Sequence, residues 1–276
     1  MSLTTFIAKP DVREKFSSEF EKPKFQVKKE IVASPLTKNY SLVGTAFDYL
    51  LRCHLEYLNS PFIEHRYGWI AELSLPLLSG TYREKAVAII GEAKKNWNHF
   101  LETGQHDDEL LKSALLLAGL DPIFRAKRGQ EYIGLVDNQD VQDLRNLISA
   151  VDMQIFKAQK SLILNPSFGK ASQMVGGADA DLIIDDMLVD IKTTISLELP
   201  KEHFHQLIGY LTLYYLNGAI ERKESLPEIN KLAIYFSRYS YLHVIQVENI
   251  ASHEKFAQFG KWFVERAKID SNTRKT

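Results

Sequence analysis

The chain has 276 residues, of which 45% are hydrophobic and 25% are charged, the ordinary composition of one large globular domain or two small ones. Its 34 Lys and Arg against 35 Asp and Glu give a net charge of −1, which excludes a uniformly basic nucleic-acid coat protein but permits a local basic cleft. The single cysteine, Cys53, excludes an intrachain disulfide and any zinc or iron–sulfur site built from several cysteines.

Membrane-spanning segments and a secretory signal are both missing from the sequence pattern. The longest uncharged stretch near an apolar core, 205–220, is shorter than the roughly 18–20 apolar residues that a span needs, and it contains Gln206 and Thr212. The N-terminal segment, 1–16, has no apolar run of the kind found in secretory signals. We therefore expect a protein of the reducing cytoplasm with no membrane partner.

Helical periodicity dominates the N-terminal part of the chain. Prolines at 10, 23 and 35 break the segment 1–40 into loop with short elements. Apolar residues spaced i, i+3, i+4 and i+7 then predict helices at 45–58, 81–103, 108–119 and 139–162. Thr45 is the expected N-cap of the first of these helices. Asp121-Pro122 is expected to begin a separate turn after the third.

Strand patterns appear after Asn165-Pro166. Short β-branched runs predict strands within 181–192 and within 231–247, the second pair joined by a turn near 238–240. A helix is predicted from Pro200 to Asn217, with Gly218 as its C′ residue, and an amphipathic helix is predicted at the C-terminal end. This order predicts an α/β (α+β) fold. Residues 1–134 would form a helical region that belongs to the core or caps it, and residues 135–276 would form the core.

The segment Asp181–Lys192 concentrates charge in one predicted hairpin. A two-residue turn at Asp185-Asp186 pairs Ile184 with Met187 and, three steps further, places Asp181 opposite Asp190. Alternation puts Asp190 and Lys192 on one face and turns Ile191 toward the core. Two carboxylates directly opposite each other repel, and a bound Mg²⁺ or Mn²⁺ would neutralise that repulsion. A surface hairpin with an ordinary salt bridge is the alternative interpretation.

These residues carry a resemblance to a known family. Asp181 and Asp190-Ile191-Lys192, led by the glycine-rich GGADAD, resemble the signature of the PD-(D/E)XK nuclease superfamily. Gln206 and Tyr210 resemble the Q-x-x-x-Y motif of its RecB-like branch. The resemblance implies a restriction-endonuclease-like central mixed sheet flanked by helices, and Mg²⁺-dependent hydrolysis of phosphodiester bonds, with DNA as the favoured substrate. It implies that Asp181, Asp190, Lys192, Gln206 and Tyr210 are catalytic and that Asp181, Asp190, Ile191 and Asp48 bind the metal.

Asp48 enters this set through a departure from the family pattern. RecB-like enzymes often carry G-x-x-x-H in the N-terminal helix, and here Gly44 is followed by Asp48 in place of the histidine. An aspartate can bind Mg²⁺, and Glu56 on the same helix is a competing candidate. Asp48 would otherwise be a first-turn acid favoured by the helix dipole. The iron–sulfur branch of the family is excluded by the single cysteine.

Two other functions are consistent with the same residues. A relative of the same fold could bind nucleic acid or a protein without catalysis. The D-x-D of Asp179 and Asp181 is also found in sugar-nucleotide transferases, where it binds Mn²⁺. Because the net charge is −1, nucleic-acid binding would require a local basic cluster, for which the candidates are Arg125, Lys127, Arg128 and the segment 22–29.

Overall fold

The structure is a computed structural model that describes residues 2–66, 68–221 and 227–273. Helices are α1 (Leu3–Ile7), α2 (Pro10–Glu19), α3 (Tyr40–Leu58), α4 (Gly80–Thr103), α5 (Asp108–Ala126), α6 (Asn138–Ser149), α7 (Gly169–Met174), α8 (Lys201–Glu221) and α9 (His253–Thr273). Strands are β1 (Ile63–Arg66), β2 (Leu162–Leu164), β3 (Leu182–Ile184), β4 (Met187–Lys192), β5 (Lys231–Phe236) and β6 (Tyr241–Gln246). No helix among these described residues is long and apolar enough to cross a membrane.

The six strands form one mixed sheet in which spatial order follows chain order, from β1 to β6. Strands β1 and β2 are parallel, as are β4 and β5. The pairs β2–β3, β3–β4 and β5–β6 are antiparallel. With helices on both faces, the chain has an α+β fold built on a central mixed sheet, which confirms the predicted fold class.

The two faces of the sheet are covered by different helices. Alternation along the β3–β4 hairpin sends Leu182 and Val189 into a core with α3, α4, α5 and α6. The neighbouring Ile183 and Leu188 enter a second core with α1, α2, α7, α8 and α9. The N-terminal segment 1–134 therefore supplies helices to both faces, and it also supplies the edge strand β1.

The β3–β4 hairpin has the predicted register: Ile184 pairs with Met187, Ile183 with Leu188 and Leu182 with Val189. Asp185 occupies the turn with a positive φ of 52°, which a side chain other than glycine adopts at a cost. Its carboxylate compensates by accepting hydrogen bonds from the backbone N–H groups of residues 159, 160 and 161. The hairpin turn thus anchors the connection that leads into β2.

Several predicted boundaries are wrong. Helix α3 begins at Tyr40, after the N-cap Asn39, so Thr45 lies inside it. Asp121-Pro122 lies within α5, which continues to Ala126. Gly218 was predicted to follow the end of its helix but lies within α8, which continues to Glu221. An isolated glycine weakens a helix by about 1 kcal/mol and does not by itself end it.

The predicted helix 139–162 is the largest error. Helix α6 ends at Ser149, a short 3₁₀ turn spans Met153–Phe156, and Leu162 begins β2. Val151, Ile155 and Ala158 continue the apolar spacing because they contact the same core from irregular backbone. The periodicity in this stretch reports burial, not helix.

Candidate active site

A cavity of about 450 Å³ opens beside the start of β3 and the end of β4. Helix α3 contributes Asp48 to its wall, the β3–β4 hairpin contributes Asp181 and Lys192, and α8 contributes His203. Helix α5 adds Arg125. The cavity therefore collects residues from elements that are far apart in the chain, which is what a catalytic or binding site requires.

Asp181 directly precedes β3 and reaches across to the neighbouring strand. Its Oδ2 accepts a hydrogen bond of 2.5 Å from the backbone N–H of Ile191. Burial raises the pKa of Asp181 well above its usual value, and the charges of Asp48 and Asp190 add to the rise. A carboxyl in this position resists ionisation unless a cation approaches it.

Asp190 and Lys192 share the face of β4 that is turned toward α8, as the alternation predicts. Lys192 Nζ lies 2.8 Å from Asp190 Oδ2 and donates a hydrogen bond of 3.1 Å to Gln206 Oε1. Burial acts to lower the pKa of Lys192, but the carboxylates of Asp190 and Asp181 outweigh it, so the pKa is raised. The lysine is therefore a fixed ammonium group at the cavity wall.

Gln206 and Tyr210 continue this chain of hydrogen bonds on α8. Gln206 Nε2 donates to Tyr210 Oη at 2.8 Å, so Tyr210 orients Gln206 and Gln206 orients Lys192. The opposite face of the helix is apolar, with Leu207 and Leu211 fully buried. Tyr210 itself is buried, and burial together with the nearby Asp190 and Asp181 raises its pKa well above the usual value.

Asp48 lies one turn after Gly44 on α3. A Cβ added at Gly44 would meet Thr193 Cβ at 3.4 Å, so the glycine lets α3 approach the end of β4 closely. Asp48 Oδ2 accepts a hydrogen bond of 2.5 Å from Arg52 Nη2, whereas Oδ1 is buried and makes no hydrogen bond among the described residues. Burial raises the pKa of Asp48, although Arg52 opposes the rise.

Glu56, the competing acidic candidate, lies elsewhere. It is buried two turns further along α3 and accepts a hydrogen bond of 3.2 Å from Trp97 Nε1. It lines a second, smaller cavity and is not part of the wall that contains Asp181. The geometry therefore brings Asp48, not Glu56, to the predicted catalytic residues.

His203, Asp121 and Arg52 line or border the site without having been predicted. His203 is three residues before Gln206, so the two share a helix face, and its Nδ1 is buried without a hydrogen bond in the described part of the chain. The three-residue spacing from Gln206 is the sequence signal that could have placed His203 at the site. Asp121 accepts a hydrogen bond of 2.7 Å from Tyr49 Oη, a contact between two helices that no local pattern predicts.

The predicted basic cluster is divided by the structure. Arg125 lines the cavity with a side chain that is 57% exposed, and it lies 3.9 Å from the Asp121 carboxylate. Lys127 and Arg128 are exposed just after α5. The segment 22–29 crosses the face of the sheet opposite α5, where Lys29 Nζ lies over the ring of Tyr241. Asp179 also lines the cavity, so both acids of the D-x-D face the same space.

The donor set around the cavity bears on whether a divalent cation fits there. Within residues 2–66, 68–221 and 227–273, no three His, Cys, Asp or Glu side chains are arranged to hold a metal ion. Mg²⁺, however, commonly takes only one or two carboxylates plus water and substrate oxygens. Asp48 Oδ1 is buried without a hydrogen bond among the described residues, Asp190 Oδ2 is buried with the Lys192 ammonium 2.8 Å away, and Ile191 is part of the cavity wall. This hard-oxygen set fits Mg²⁺ or Mn²⁺ bound partly through water.

Comparisons with protein-family models, with curated proteins and with solved structures find no match to this chain.

Proposed function

We propose that the protein is a metal-dependent nuclease that hydrolyses phosphodiester bonds, with DNA as the preferred substrate class. The observation that carries the proposal is the convergence of Asp181, Asp190 and Lys192 at one end of a hairpin, with Lys192 held by Gln206. The Asp181–Lys192 hairpin and the Gln206–Tyr210 face of α8, which are close in the chain, meet the distant Asp48 of α3 here. Together they offer the carboxylates and the ammonium group that metal-dependent phosphodiester hydrolysis uses. The repulsion among buried carboxylates is further support, because it favours a cation.

The chemistry follows from the charges around the cavity. Asp181, Asp190 and Asp48, with the Ile191 carbonyl, would hold Mg²⁺ or Mn²⁺, which when bound supplies an activated water and neutralises phosphate charge. Lys192 stabilises the negative charge that develops on the phosphate or holds the attacking water. Gln206 keeps the Lys192 ammonium directed at the cavity, and Tyr210 fixes the rotamer of Gln206. Arg125 at the wall contacts the substrate backbone.

The proposal is tested by incubating the protein with linear, circular and single-stranded DNA and with RNA, each with Mg²⁺, Mn²⁺ or EDTA. We expect cleavage of at least one substrate with a divalent cation and none with EDTA. Lys192→Ala should lower the rate by at least about 10²–10³-fold, because a preorganised charge of this kind contributes several kcal/mol to the transition state. Lys231→Ala is the matched control, since Lys231 pairs with Asp186 on the same sheet away from the cavity.

One observation favours a second candidate, a protein of similar architecture that binds nucleic acid or a protein partner without catalysis. Arg52 already neutralises Asp48 through a 2.5 Å contact, so this carboxylate has a cationic partner within the chain and does not require a metal ion. Retention of full cleavage by Lys192→Ala, in a preparation free of contaminating nuclease, would contradict the assignment of the catalytic site to Asp181, Asp190 and Lys192. Binding of nucleic acid without cleavage of any substrate would favour this second candidate.

A further inference from the structure

A second cavity of about 190 Å³ adjoins the first one. Arg52 and Asn165 line both cavities, so they form the boundary between the two. At about 30 Å³ per water molecule, the smaller space corresponds to about six waters, which is the size of one heterocyclic ring system. A group bound there would be connected directly to one bound beside Asp181.

The wall of this smaller cavity is aromatic. Trp69 and Trp97 meet with ring centroids 5.1 Å apart and an interplanar angle of 53°, so the two indoles form an angled corner. Glu56 holds the Trp97 indole through a hydrogen bond of 3.2 Å to Nε1, which fixes the plane of that ring. A fixed aromatic corner offers a stacking surface at little cost in conformational entropy.

The rim of the cavity is polar. Asn98, which is exposed on α4, and Asn165 both present carboxamides that make no hydrogen bond within the described part of the chain. A carboxamide offers both a donor and an acceptor, which matches the edge of a nucleobase. The guanidinium of Arg52 lies between this rim and Asp48, at the point where a base would join its sugar-phosphate.

Asn165 is also strained. Its φ is +52° although it precedes Pro166, and a residue before proline is normally extended. A hydrogen bond of 2.8 Å from its backbone N–H to the carbonyl of Asp181 holds it there. Strained backbone of this kind is concentrated at sites of function, and here the strain places a carboxamide between the two cavities.

We infer that the cavity formed by Trp69, Trp97, Asn98 and Asn165 binds a nucleobase of the substrate, next to the phosphodiester that lies at Asp181. This inference rests on the proposed function, and it specifies the substrate as nucleic acid with an unpaired base at this position. The base stacks on the indole corner, and the two carboxamides contact its polar edge. Because every base has a π face, stacking makes the pocket tolerant of sequence.

The test is a thermodynamic cycle between the protein and the base. The probe is a fluorescein-labelled single-stranded deoxyoligothymidylate of about 12 nucleotides, within the ~4–16 nucleotides that single-strand-binding folds cover. A series of the same oligonucleotide carries one abasic site at each position in turn, and binding is measured in EDTA to prevent cleavage. The proteins are wild type, Trp69→Leu, Asn98→Ala and Asn165→Gly, the last of which keeps the positive φ. Trp262→Leu on the opposite face of the sheet is the matched control.

We expect Trp69→Leu to weaken binding of the intact oligonucleotide roughly 5- to 150-fold, the range found for loss of one base–aromatic stack. An abasic site at one position should weaken wild-type binding similarly, and the two changes together should cost little more than either alone. Trp262→Leu should bind as wild type. If Trp69→Leu fails to fold, as judged by circular dichroism, the abasic series with wild type and Asn98→Ala carries the test.

Two results would overturn the inference: equal affinity of folded Trp69→Leu and wild type, or equal wild-type affinity for the intact and all abasic oligonucleotides. Either of these, together with Mg²⁺-dependent cleavage, would remove the base pocket and leave the nuclease assignment intact. Non-additive losses for Trp69→Leu and one abasic site, with no cleavage of any substrate in the presence of Mg²⁺ or Mn²⁺, would support the base pocket and overturn the nuclease proposal.

Discussion

At the scale of single residues, Asp181 is held in place at a cost in free energy. Burial and two neighbouring carboxylates disfavour its charged form, while its hydrogen bond to the Ile191 N–H can be made equally well by an amide oxygen. Asp181→Asn should therefore raise the Tm of the metal-free protein at pH 8, since about 1 kcal/mol shifts Tm by roughly 2–4 °C in a chain of this size. The same change should lower cleavage by about 10²–10³-fold.

Metal linkage separates this effect from ordinary stabilisation. Mg²⁺ or Mn²⁺ should raise the Tm of wild type and leave that of Asp181→Asn unchanged, because only the native wild type binds the cation. Asp186→Asn, in the turn of the same hairpin, should keep the full metal response. An equal response of Asp181→Asn and wild type in differential scanning fluorimetry would contradict the role of Asp181 as a ligand.

Asp121 gives a pH-dependent prediction. Burial raises the pKa of Asp121 to about 6, whereas an aspartate in the unfolded chain ionises near 3.9. Between about pH 4 and 6 the unfolded state therefore loses its proton first, and this group lowers the free energy of unfolding as pH rises through that window. Asp121→Asn keeps a hydrogen-bond acceptor for Tyr49 and removes the free-energy cost of ionising a buried carboxyl. That cost amounts to about 3 kcal/mol above pH 6.

Urea unfolding of wild type and Asp121→Asn at several pH values measures this difference. The gain of the variant over wild type should be near zero at pH 4 and largest above pH 6.5. The comparison must be made at each pH, because burial lowers the pKa of His54 to about 4 and makes wild-type stability rise over the same window. A gain independent of pH would show that Asp121 is ionised in the native state throughout.

At the scale of secondary-structure elements, one buried ion pair joins three segments. Arg238, in the turn between β5 and β6, forms a bidentate contact with Asp143 on α6, with Nη2 2.9 Å from Oδ2. Arg238 Nη1 also donates to the carbonyl of Ala33 at 3.1 Å. Both charged side chains are 1% exposed.

Breaking this pair should be more costly than replacing it. Arg238→Met should lower the free energy of unfolding by about 3–5 kcal/mol, because it leaves the Asp143 charge buried and unpaired. Adding Asp143→Leu to Arg238→Met should recover part of the loss. Urea denaturation of the two single variants and the double variant measures the coupling, and additive losses would contradict a direct pair.

The accuracy of the sequence predictions varied from element to element for physical reasons. The β3–β4 register was predictable because a two-residue turn and a period-2 pattern leave one pairing that buries both apolar faces. The end of α6 was not predictable, because buried residues in the irregular backbone after it continue the apolar spacing of a helix. Strand β1 was missed since Ile63 is its only apolar residue and its place is set by β2, which is distant in the chain.

The candidate site shows the same division. Asp181, Asp190, Lys192 and Gln206 lie in patterns that are local in the chain, so their convergence could be anticipated. Asp121 and the Trp69–Trp97 corner meet the site only through packing of α3, α4 and α5 against one another, which no spacing in the sequence encodes.

At the scale of the whole molecule, a net charge of −1 means that affinity for a polyanion must be local. The double change Arg125→Glu/Arg128→Glu should weaken binding of all nucleic-acid sequences alike. It should also reduce the slope of log Kd against log salt by roughly 1.4–1.8, for two lost phosphate contacts at 0.7–0.9 each. Fluorescence anisotropy at several salt concentrations measures this slope.

Lys261→Glu provides the control for charge itself, because Lys261 is exposed on α9 behind the sheet. It should leave both affinity and slope close to wild type. If Lys261→Glu weakens binding as much as the arginine changes, the polyanion contacts α9 and does not enter by way of α5.

The packing of α1 and α2 against α9 has a consequence for how the chain is made. Phe6, Phe16 and Phe20 are synthesised long before their ring partners Phe256, Phe259 and Phe263. Until α9 has been made, the aromatic surface of α1 and α2 that packs on it stays uncovered, and exposed surface of this kind favours aggregation. A chain ending at Ser252 should bind a hydrophobic dye and aggregate at concentrations where the 276-residue chain does neither, which dye fluorescence and light scattering would detect.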